Sequence, residues 1–330
     1  MKRGEGTVLH RTPADRILFF VGTVATLFAV AMFTGLSNEF WWWWREVAFL
    51  TVACVCVVFM KQRLVMIGAI ALVVLSRLAI AAVLLFAAGS FATAQEITVA
   101  AAADMSAALP ELVAAYTKKT GRAVKLSFGA SGNLTNQIRN GAPFDVLFSA
   151  DEQYPQQLIA EGLASKDTLY RYAVGRLVLW VPADSPLDLS TLGIRALLDP
   201  SVKKISIANP ATAPYGRAAE ATLRHFGIYD QVSSRLVVGE NVSQAAQFVE
   251  SGNAQAGLIA LSHALAPAMK DKGRYWTVPL DAYPTLNQAA VVVSKSKQQD
   301  AARKFLDFLR SPEASSLLTR YGFSLPAEKK

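Results

Sequence analysis

The chain has 330 residues, of which 52% are hydrophobic and 18% are charged, and its formal net charge is +8. This apolar and weakly charged composition excludes a disordered chain and a coiled coil. Residues 1–94 hold only 8 of the 33 Lys and Arg residues and 4 of the 25 Asp and Glu residues. The sequence therefore predicts an apolar leader followed by a soluble domain over 95–330, which is long enough to bury a large core.

The leader contains three apolar runs, at 17–36, 47–60 and 64–91. The first has no charged residue over 20 positions, enough for a helix to span the hydrocarbon core of a bilayer. Basic residues flank the runs, and four tryptophans at 41–44 precede the second run. Both features are typical of membrane helices. On one interpretation, all three runs span the membrane and leave the soluble domain outside it.

A second interpretation starts translation at Met60. A basic and then apolar segment over 60–94, which ends in an Ala-x-Ala motif, would be a cleavable signal peptide. Residues 1–59 would then be an extension assigned to the chain in error. The well-formed signal favours this interpretation, although Arg77 interrupts its apolar run. Both interpretations place residues 95–330 on the outer side of the inner membrane, either free in the periplasm or tethered.

In the soluble domain, short apolar runs alternate with amphipathic stretches, which predicts an α/β fold with largely parallel sheets. Its net charge of +4 is dilute, with at most two basic residues in a row, so nucleic acid is not expected as a partner. Strands are predicted at 97–103, 124–128, 145–150, 176–182, 205–208, 235–239, 256–262 and 289–294. Helices are predicted at 105–119, 132–139, 153–161, 215–226, 242–250 and 298–321.

Four of the predicted strand-to-helix turns carry residues typical of helix N-termini. These turns contain Asp104, Ser131, Tyr215 and Val242. Helix N-termini expose unpaired N–H groups and the positive end of the helix dipole. In open parallel sheets such turns lie at the carboxyl edge, where several of them together can bind an anion without arginine. Helix starts occur in every α/β protein, however, so these turns alone leave their convergence open.

The sequence has few residues of the types that form catalytic or metal-binding sites. Both cysteines, Cys54 and Cys56, lie in the leader, and the soluble domain has only two histidines. We therefore expect no disulfide framework, no metal site formed by side chains and no cofactor. Asp145 and Asp151 flank one predicted strand and could form a general acid–base pair, but such residues are more often a strand-end cap and a turn acid.

Five segments of the soluble domain stand in a characteristic order: ITVAAAADMSAALPEL, SFGASGNLTNQIRNGAPFDVLFSAD, NPATAPYGRAAEATL, ENVSQAAQFVESGNAQAGLIAL and RYGF. Together they resemble the periplasmic molybdate-binding proteins of ABC transporters, from Ile97 to Phe323. The resemblance implies a type II periplasmic binding protein with two lobes joined by a hinge. The first lobe is expected to comprise 95–175 and 285–330, and the second 180–280.

The resemblance also implies a ligand and the residues that bind it. The ligand would be molybdate or tungstate, delivered to the permease of an ABC importer in the inner membrane. By the same resemblance, Ser131 donates through its hydroxyl and its N–H, and Tyr215 and Val242 donate backbone N–H groups. A receptor for another oxyanion, such as phosphate or sulfate, is an alternative. A membrane-anchored oxyanion sensor is another, if residues 1–59 belong to the protein.

Two positions depart from the family pattern. Asp104 stands where Ser or Thr often donates a hydroxyl, and Ala260 where some members have a tyrosine. A carboxylate about 4 Å from one unit of negative charge costs roughly 4 kcal/mol at an effective dielectric of about 20, and a dianion about doubles that cost. We therefore expect Asp104 to cap its own helix, with the N–H of Met105 or the hydroxyl of Ser106 as a donor, unless the ligand carries a proton. The Tyr215 hydroxyl is expected to replace the donor missing at Ala260.

Overall fold

The computed structural model describes residues 46–47, 49–51, 71–80 and 96–326. The chain divides into two compact units, Met1–Phe91 and Ala92–Lys330. The described residues of the first unit are helical. Within the described ranges, no helix is both long enough and apolar enough to cross a bilayer.

The predictions for the leader concern mainly residues outside these ranges. The apolar runs at 17–36, 47–60 and 64–91 are described only in part or not at all, as is the signal peptide over 60–94. The status of 1–59 is likewise outside the described residues. The membrane topology and the export of the protein therefore stay predictions.

The second unit contains two five-stranded sheets, with strand orders β2-β1-β3-β10-β4 and β7-β6-β8-β5-β9. The strands are β1 Ile97–Ala102, β2 Val124–Gly129, β3 Val146–Ser149, β4 Tyr170–Gly175, β5 Leu177–Pro182, β6 Ile205–Ala208, β7 Leu236–Gly239, β8 Ala256–Ala260, β9 Gly273–Thr277 and β10 Leu286–Val292.

Ten α-helices are described in this unit, together with short 3₁₀ turns. Their bounds are α1 Ala108–Thr120, α2 Ser131–Arg139, α3 Gln153–Ala160, α4 Leu189–Leu192, α5 Pro214–His225, α6 Tyr229–Val232, α7 Val242–Glu250, α8 Leu261–Ala264, α9 Gln299–Leu309 and α10 Pro312–Arg320.

Each sheet contains one strand that runs antiparallel to both of its neighbours. Strand β10 is antiparallel to β3 and β4, and β5 is antiparallel to β8 and β9. Only Arg176 separates β4 in the first sheet from β5 in the second, and the chain returns between Thr277 and Leu286. The predicted α/β fold with two lobes is confirmed, but its sheets are mixed because these crossovers insert the antiparallel strands.

Strand β1 shows how the core of the first lobe is built. Val99 and Ala101 belong to the cluster that includes Phe305 of α9, whereas Ala100 belongs to the cluster that includes Leu134 of α2. Successive side chains of a strand point to opposite faces, so β1 contributes to two cores at once. An unbroken apolar run is what a strand covered on both faces requires.

The sequence missed β4 and β9, two of the four strands at sheet edges, and it joined two helices into one. Strands β4 and β9 carry polar residues and are only partly buried, so neither shows an apolar run. The helix predicted at 298–321 is interrupted before Pro312, the first residue of α10. Ser311 caps α10 by accepting from the Ala314 N–H at 3.2 Å, and a proline at the first helical position suits that start.

Candidate functional site

A cleft between the two lobes brings together turns from both sheets. Asp104 and Ser131 line it from the first lobe, and Tyr215 and Val242 line it from the second. The rest of the lining consists of alanines, Gly129, Pro214 and Asn241, and it includes no Lys, Arg or His. All four turns that the sequence singled out therefore meet at one cleft, and none of the described residues that line it carries a cationic side chain.

Ser131 enters the cleft as the first residue of α2. The N-cap of this helix is Ala130, in an extended conformation, so the Ser131 N–H is a first-turn donor without an intrahelical acceptor. The Ser131 hydroxyl accepts a hydrogen bond from the Ala150 N–H at 3.0 Å. A hydroxyl that already accepts still has its own proton to donate, so Ser131 can offer two donors to a ligand.

Two helices of the second lobe present their first turns to the same cleft. Tyr215 follows Pro214, the first residue of α5, and because proline has no N–H, the Tyr215 N–H is the first donor of that helix. Asn241 caps α7 by accepting from the N–H groups of Ser243 and Gln244, at 3.0 and 3.1 Å. This cap leaves the N–H of Val242, the first residue of α7, available.

Asp104 lies fully buried in a short 3₁₀ turn, Ala103–Met105. Its Oδ2 accepts a hydrogen bond from Gln288 Nε2 on β10. The Tyr172 hydroxyl donates to Gln288 Oε1 at 2.7 Å, which orients the amide so that its nitrogen faces Asp104. Asp104 Oδ1 has no hydrogen-bond partner among the described residues.

Burial raises the pKa of Asp104 to about 7, and the hydrogen bond from Gln288 only partly opposes this effect. The cause is desolvation, because a buried carboxylate loses its hydration and no cation replaces it. Asp104 is therefore a carboxyl group that is readily protonated near neutral pH.

Polar contacts hold the two lobes together around the cleft. The Gly132 N–H of the first lobe donates to the Thr212 carbonyl of the second at 2.9 Å. A side chain at position 132 would place its Cβ 2.9 Å from that carbonyl oxygen, so glycine is needed for this close approach. Arg217 on α5 forms an ion pair with Asp151 and donates to the Tyr154 hydroxyl at 3.1 Å.

A second set of contacts between the lobes surrounds His263. Its Nε2 lies 3.2 Å from the Ser106 hydroxyl and 2.9 Å from the Ser243 hydroxyl, and Ser243 also donates to the Ala103 carbonyl at 2.9 Å. Burial lowers the pKa of His263 to about 4. The ring is therefore neutral at pH 7, and it supplies no positive charge to the cleft.

A family model described as bacterial extracellular solute-binding protein matches residues 97–324. The chain belongs to this family. It is 40% identical over 234 residues to the molybdate-binding protein ModA of Azotobacter vinelandii, covering 71% of this chain and 92% of that protein. It is 38% identical over 232 residues to the molybdate-binding protein ModA of Rhodobacter capsulatus, covering 70% of this chain and 89% of that protein.

The solved structure of the Azotobacter vinelandii periplasmic molybdate-binding protein has the same fold. Its TM-score is 0.66 at 33% sequence identity, and the match covers 70% of this chain and 99% of that one. The resemblance seen in the sequence motifs is therefore confirmed, and so is the two-lobed fold that it implied.

The expectation that Asp104 caps its own α-helix is wrong. The 3₁₀ turn ends at Met105 and α1 begins only at Ala108, while the Asp104 carboxyl is bound by Gln288. Met105 is buried in the core of the first lobe, and the Ser106 hydroxyl is bonded to Ser243 and His263. Neither Met105 nor Ser106 lines the cleft as the structure describes it.

The hydroxyl of Tyr215 lies on the hinge side of the cleft. It accepts from Gln288 Nε2 at 3.3 Å, and it lies against Gly175 at the end of β4. Ala260 is buried at the end of β8 and is not part of the lining. The idea that this hydroxyl replaces a donor missing at Ala260 therefore stays a prediction, and its partner in the structure is Gln288.

The two acids considered for acid–base chemistry have structural partners. Asp145 accepts from the Thr98 N–H at 2.7 Å and from the Ser296 hydroxyl at 2.5 Å, which ties β1 to the loop after β10. Asp151 is paired with Arg217 across the cleft. Sequence reasoning missed Gln288, because nothing in the local pattern of β10 connects it with a turn after β1.

We expect the Asp104→Asn variant to be more stable than the wild type at neutral pH. The folded pKa of Asp104 is raised from 3.8 to about 7, so the wild type loses stability as the pH rises from about 4 to about 7. The loss reaches about 4 kcal/mol and is constant at higher pH, whereas asparagine does not ionise. Urea unfolding of both proteins should show a difference that grows over this pH range.

Asp188→Asn is the matched control for this experiment. Hydrogen bonds from Ser190 and Thr191 lower the pKa of Asp188 to about 2, so this carboxylate stabilises the protein above pH about 4 and stops doing so as the pH falls toward 2. The variant should therefore be less stable than the wild type at neutral pH. If the difference for Asp104→Asn does not change with pH, the carboxyl is not held uncharged by burial.

Proposed function

We propose that this protein is an extracytoplasmic receptor that binds molybdate or tungstate and delivers it to an ABC importer. The observation that carries the proposal is the meeting of three helix N-termini, those of α2, α5 and α7, at a cleft lined by no basic side chain. Such a cleft offers N–H donors and dipoles to the oxygens of an anion. The molybdate-binding relatives from Azotobacter vinelandii and Rhodobacter capsulatus support molybdate as that anion.

In this proposal, Ser131 binds the oxyanion through its hydroxyl and its N–H, and Tyr215 and Val242 bind it through backbone N–H groups. These donors come from both lobes, so a ligand that bridges them favours the closed arrangement over an open one. We further propose that 95–175 with 285–330 and 180–280 move as two rigid lobes about the crossovers at Arg176 and between Thr277 and Leu286.

Size is the property that separates molybdate and tungstate from sulfate. All three are tetrahedral dianions with similar acceptor oxygens, but molybdenum–oxygen and tungsten–oxygen bonds are longer than sulfur–oxygen bonds. Backbone N–H groups at helix starts are held in place by the helices, so they fit one radius better than another. Specificity of this kind depends on donors that cannot move to follow a smaller ligand.

The relatives are substrate-binding proteins, and we propose that this chain is likewise a receptor and not an enzyme. Its partner would be the permease of an ABC importer in the inner membrane, and its location the periplasm. It would be exported by the signal over 60–94 or tethered by helices within 1–94. A tethered form would also suit an oxyanion sensor.

One observation favours a second candidate, a receptor for a protonated oxyanion such as hydrogen phosphate. Asp104 is in the lining of the cleft, and an ionised carboxylate there would accept the proton of such a ligand. Phosphate usually keeps one proton at neutral pH, whereas molybdate does not.

Calorimetric titration of the full chain, in detergent micelles at pH 7, tests the proposal. We expect molybdate and tungstate to bind at least about a hundred-fold more tightly than sulfate or phosphate, a difference of about 2.7 kcal/mol. Binding of phosphate alone would establish the second candidate instead. Absence of binding to all four anions would reject an oxyanion receptor.

We expect the Ser131→Ala variant to bind molybdate about ten- to a hundred-fold more weakly. It removes a hydroxyl donor to a charged ligand, worth about 1.5–3 kcal/mol. Ser127→Ala is a matched control, because Ser127 is the same residue type on β2 and is not in the lining. Equal affinities for the two variants would show that the Ser131 side chain does not bind the ligand.

We expect the Arg217→Ala variant to weaken molybdate binding about two- to ten-fold, because it removes the ion pair with Asp151 that joins the closed lobes. Arg224 lies on the same helix but pairs with Glu220 within that helix, so Arg224→Ala should leave the affinity unchanged. Titration calorimetry of both variants makes the comparison. A similar loss in both would mean that the effect comes from the charge of α5 and not from lobe closure.

A further inference from the structure

Among the described residues that line the cleft, Asp104 is the one with a carboxyl group. It is fully buried, one of its oxygens is bound, and the other has no partner among the described residues. An ionised Asp104 would place a second negative group beside an anionic ligand, with no cationic side chain in the lining to offset it. The proposed function therefore raises the question of how the chain can carry an aspartate here.

The groups packed around Asp104 are neutral or acidic at pH 7. Gln288 on β10 donates to it, and the Tyr215 hydroxyl on α5 accepts from the same Gln288 Nε2 at 3.3 Å. Tyr172 on β4 lies behind Gln288, and burial raises its pKa and that of Tyr215 well above their ordinary value.

The remaining neighbours add no positive charge. The Tyr283 hydroxyl accepts from the Leu177 N–H at 3.2 Å and lies near Tyr215. From α8, Ser262 donates to the Asp104 carbonyl at 2.7 Å, and the neighbouring His263 is neutral. No cation is among the groups that influence the Asp104 carboxyl.

We propose that Asp104 carries a proton whenever the cleft holds a molybdate or tungstate dianion, and that its Oδ1–H donates a hydrogen bond to the ligand. Binding from mildly alkaline solution is then coupled to the uptake of one proton from the solvent by Asp104. No covalent bond other than this O–H bond forms, and none breaks in the ligand. The inference rests on the proposed function.

The hydrogen bonds around Gln288 decide which oxygen carries the proton. The Tyr172 hydroxyl donates to Oε1 of Gln288, so the amide nitrogen must face Asp104 Oδ2. A proton on Oδ2 would point at the Gln288 N–H donor, whereas Oδ1 has no hydrogen-bond partner among the described residues. The free oxygen is therefore the one that becomes a hydroxyl.

A protonated Asp104 explains the departure from the family pattern. The resemblance places a Ser or Thr hydroxyl at this position, and a neutral carboxylic acid also provides an O–H donor. Desolvation already raises the pKa of Asp104 to about 7, and the negative charge of a bound dianion raises it further. The same residue would accept rather than donate for hydrogen phosphate, so its protonation also discriminates between the two ligands.

The test is calorimetric titration of the full wild-type chain with molybdate at pH 6, 8 and 9, each in two buffers of different ionisation enthalpy. The buffer dependence of the binding enthalpy counts the protons. We expect uptake to rise from a small fraction at pH 6 to about one proton at pH 8 and 9, and affinity to fall about ten-fold between pH 8 and 9. Because burial lowers the pKa of His263 to about 4, His263 stays neutral and takes up no proton at any of these pH values.

Asp104→Asn is the matched variant, because its amide keeps an N–H donor but cannot ionise. It should bind molybdate without proton uptake and with the same affinity from pH 6 to 9. Asp151→Asn alters the carboxylate that pairs with Arg217 between the lobes, outside the lining of the cleft, and it should keep the uptake of one proton, whatever its affinity. If Asp104→Asn does not fold, the number of protons that the wild type takes up on binding still tests whether Asp104 is protonated in the complex.

Two results would overturn the inference, and they can be told apart. Molybdate binding by the wild type without proton uptake and with a constant affinity would reject the protonated Asp104 and leave the proposed function intact. A wild type that binds no molybdate or tungstate at any of the three pH values would reject both.

Discussion

The cleft must hold a charged ligand without a side chain of opposite charge, and the rest of the structure follows from this constraint. Only oriented dipoles remain to stabilise an anion there, and they are strongest at the first turn of a helix. Three helices begin at the cleft, and small residues around them let their backbone approach. Because the helices come from two sheets, their first-turn N–H groups meet only where the two lobes approach each other. Under the proposed function, a bound anion would therefore join the lobes.

The strands next to the hinge support this arrangement from behind. Tyr172 lies on β4, the last strand before the first crossover, and Gln288 lies on β10, the first strand after the return. Through Gln288 they bind Asp104 of the first lobe and Tyr215 of the second. A buried polar network of this kind fixes its members only if each has a partner. The exception is Oδ1 of Asp104, a residue in the lining of the cleft, which has no partner among the described residues.

The sequence predicted those features that depend on neighbours in the chain. Apolar runs located most strands buried on both faces, and the four turns were recognised from their helix-start residues. Strands β4 and β9 were missed because their sequences, YRYAVG and GRYWT, show no continuous apolar run. The setting of Asp104 could not be predicted, since its partner Gln288 lies 184 residues away and only the sheet order brings β10 near β1. That distance explains why the expected helix cap was wrong.

The position of β10 also bears on how the protein is made. This strand lies between β3 and β4 in the first sheet, although the whole second sheet precedes it in the chain. A polypeptide that emerges from its N-terminus therefore cannot complete its first lobe until residues beyond Leu286 have appeared. Pairing over such separations is slow, so the first lobe stays incomplete for most of the synthesis of the chain, whereas the second sheet can form earlier.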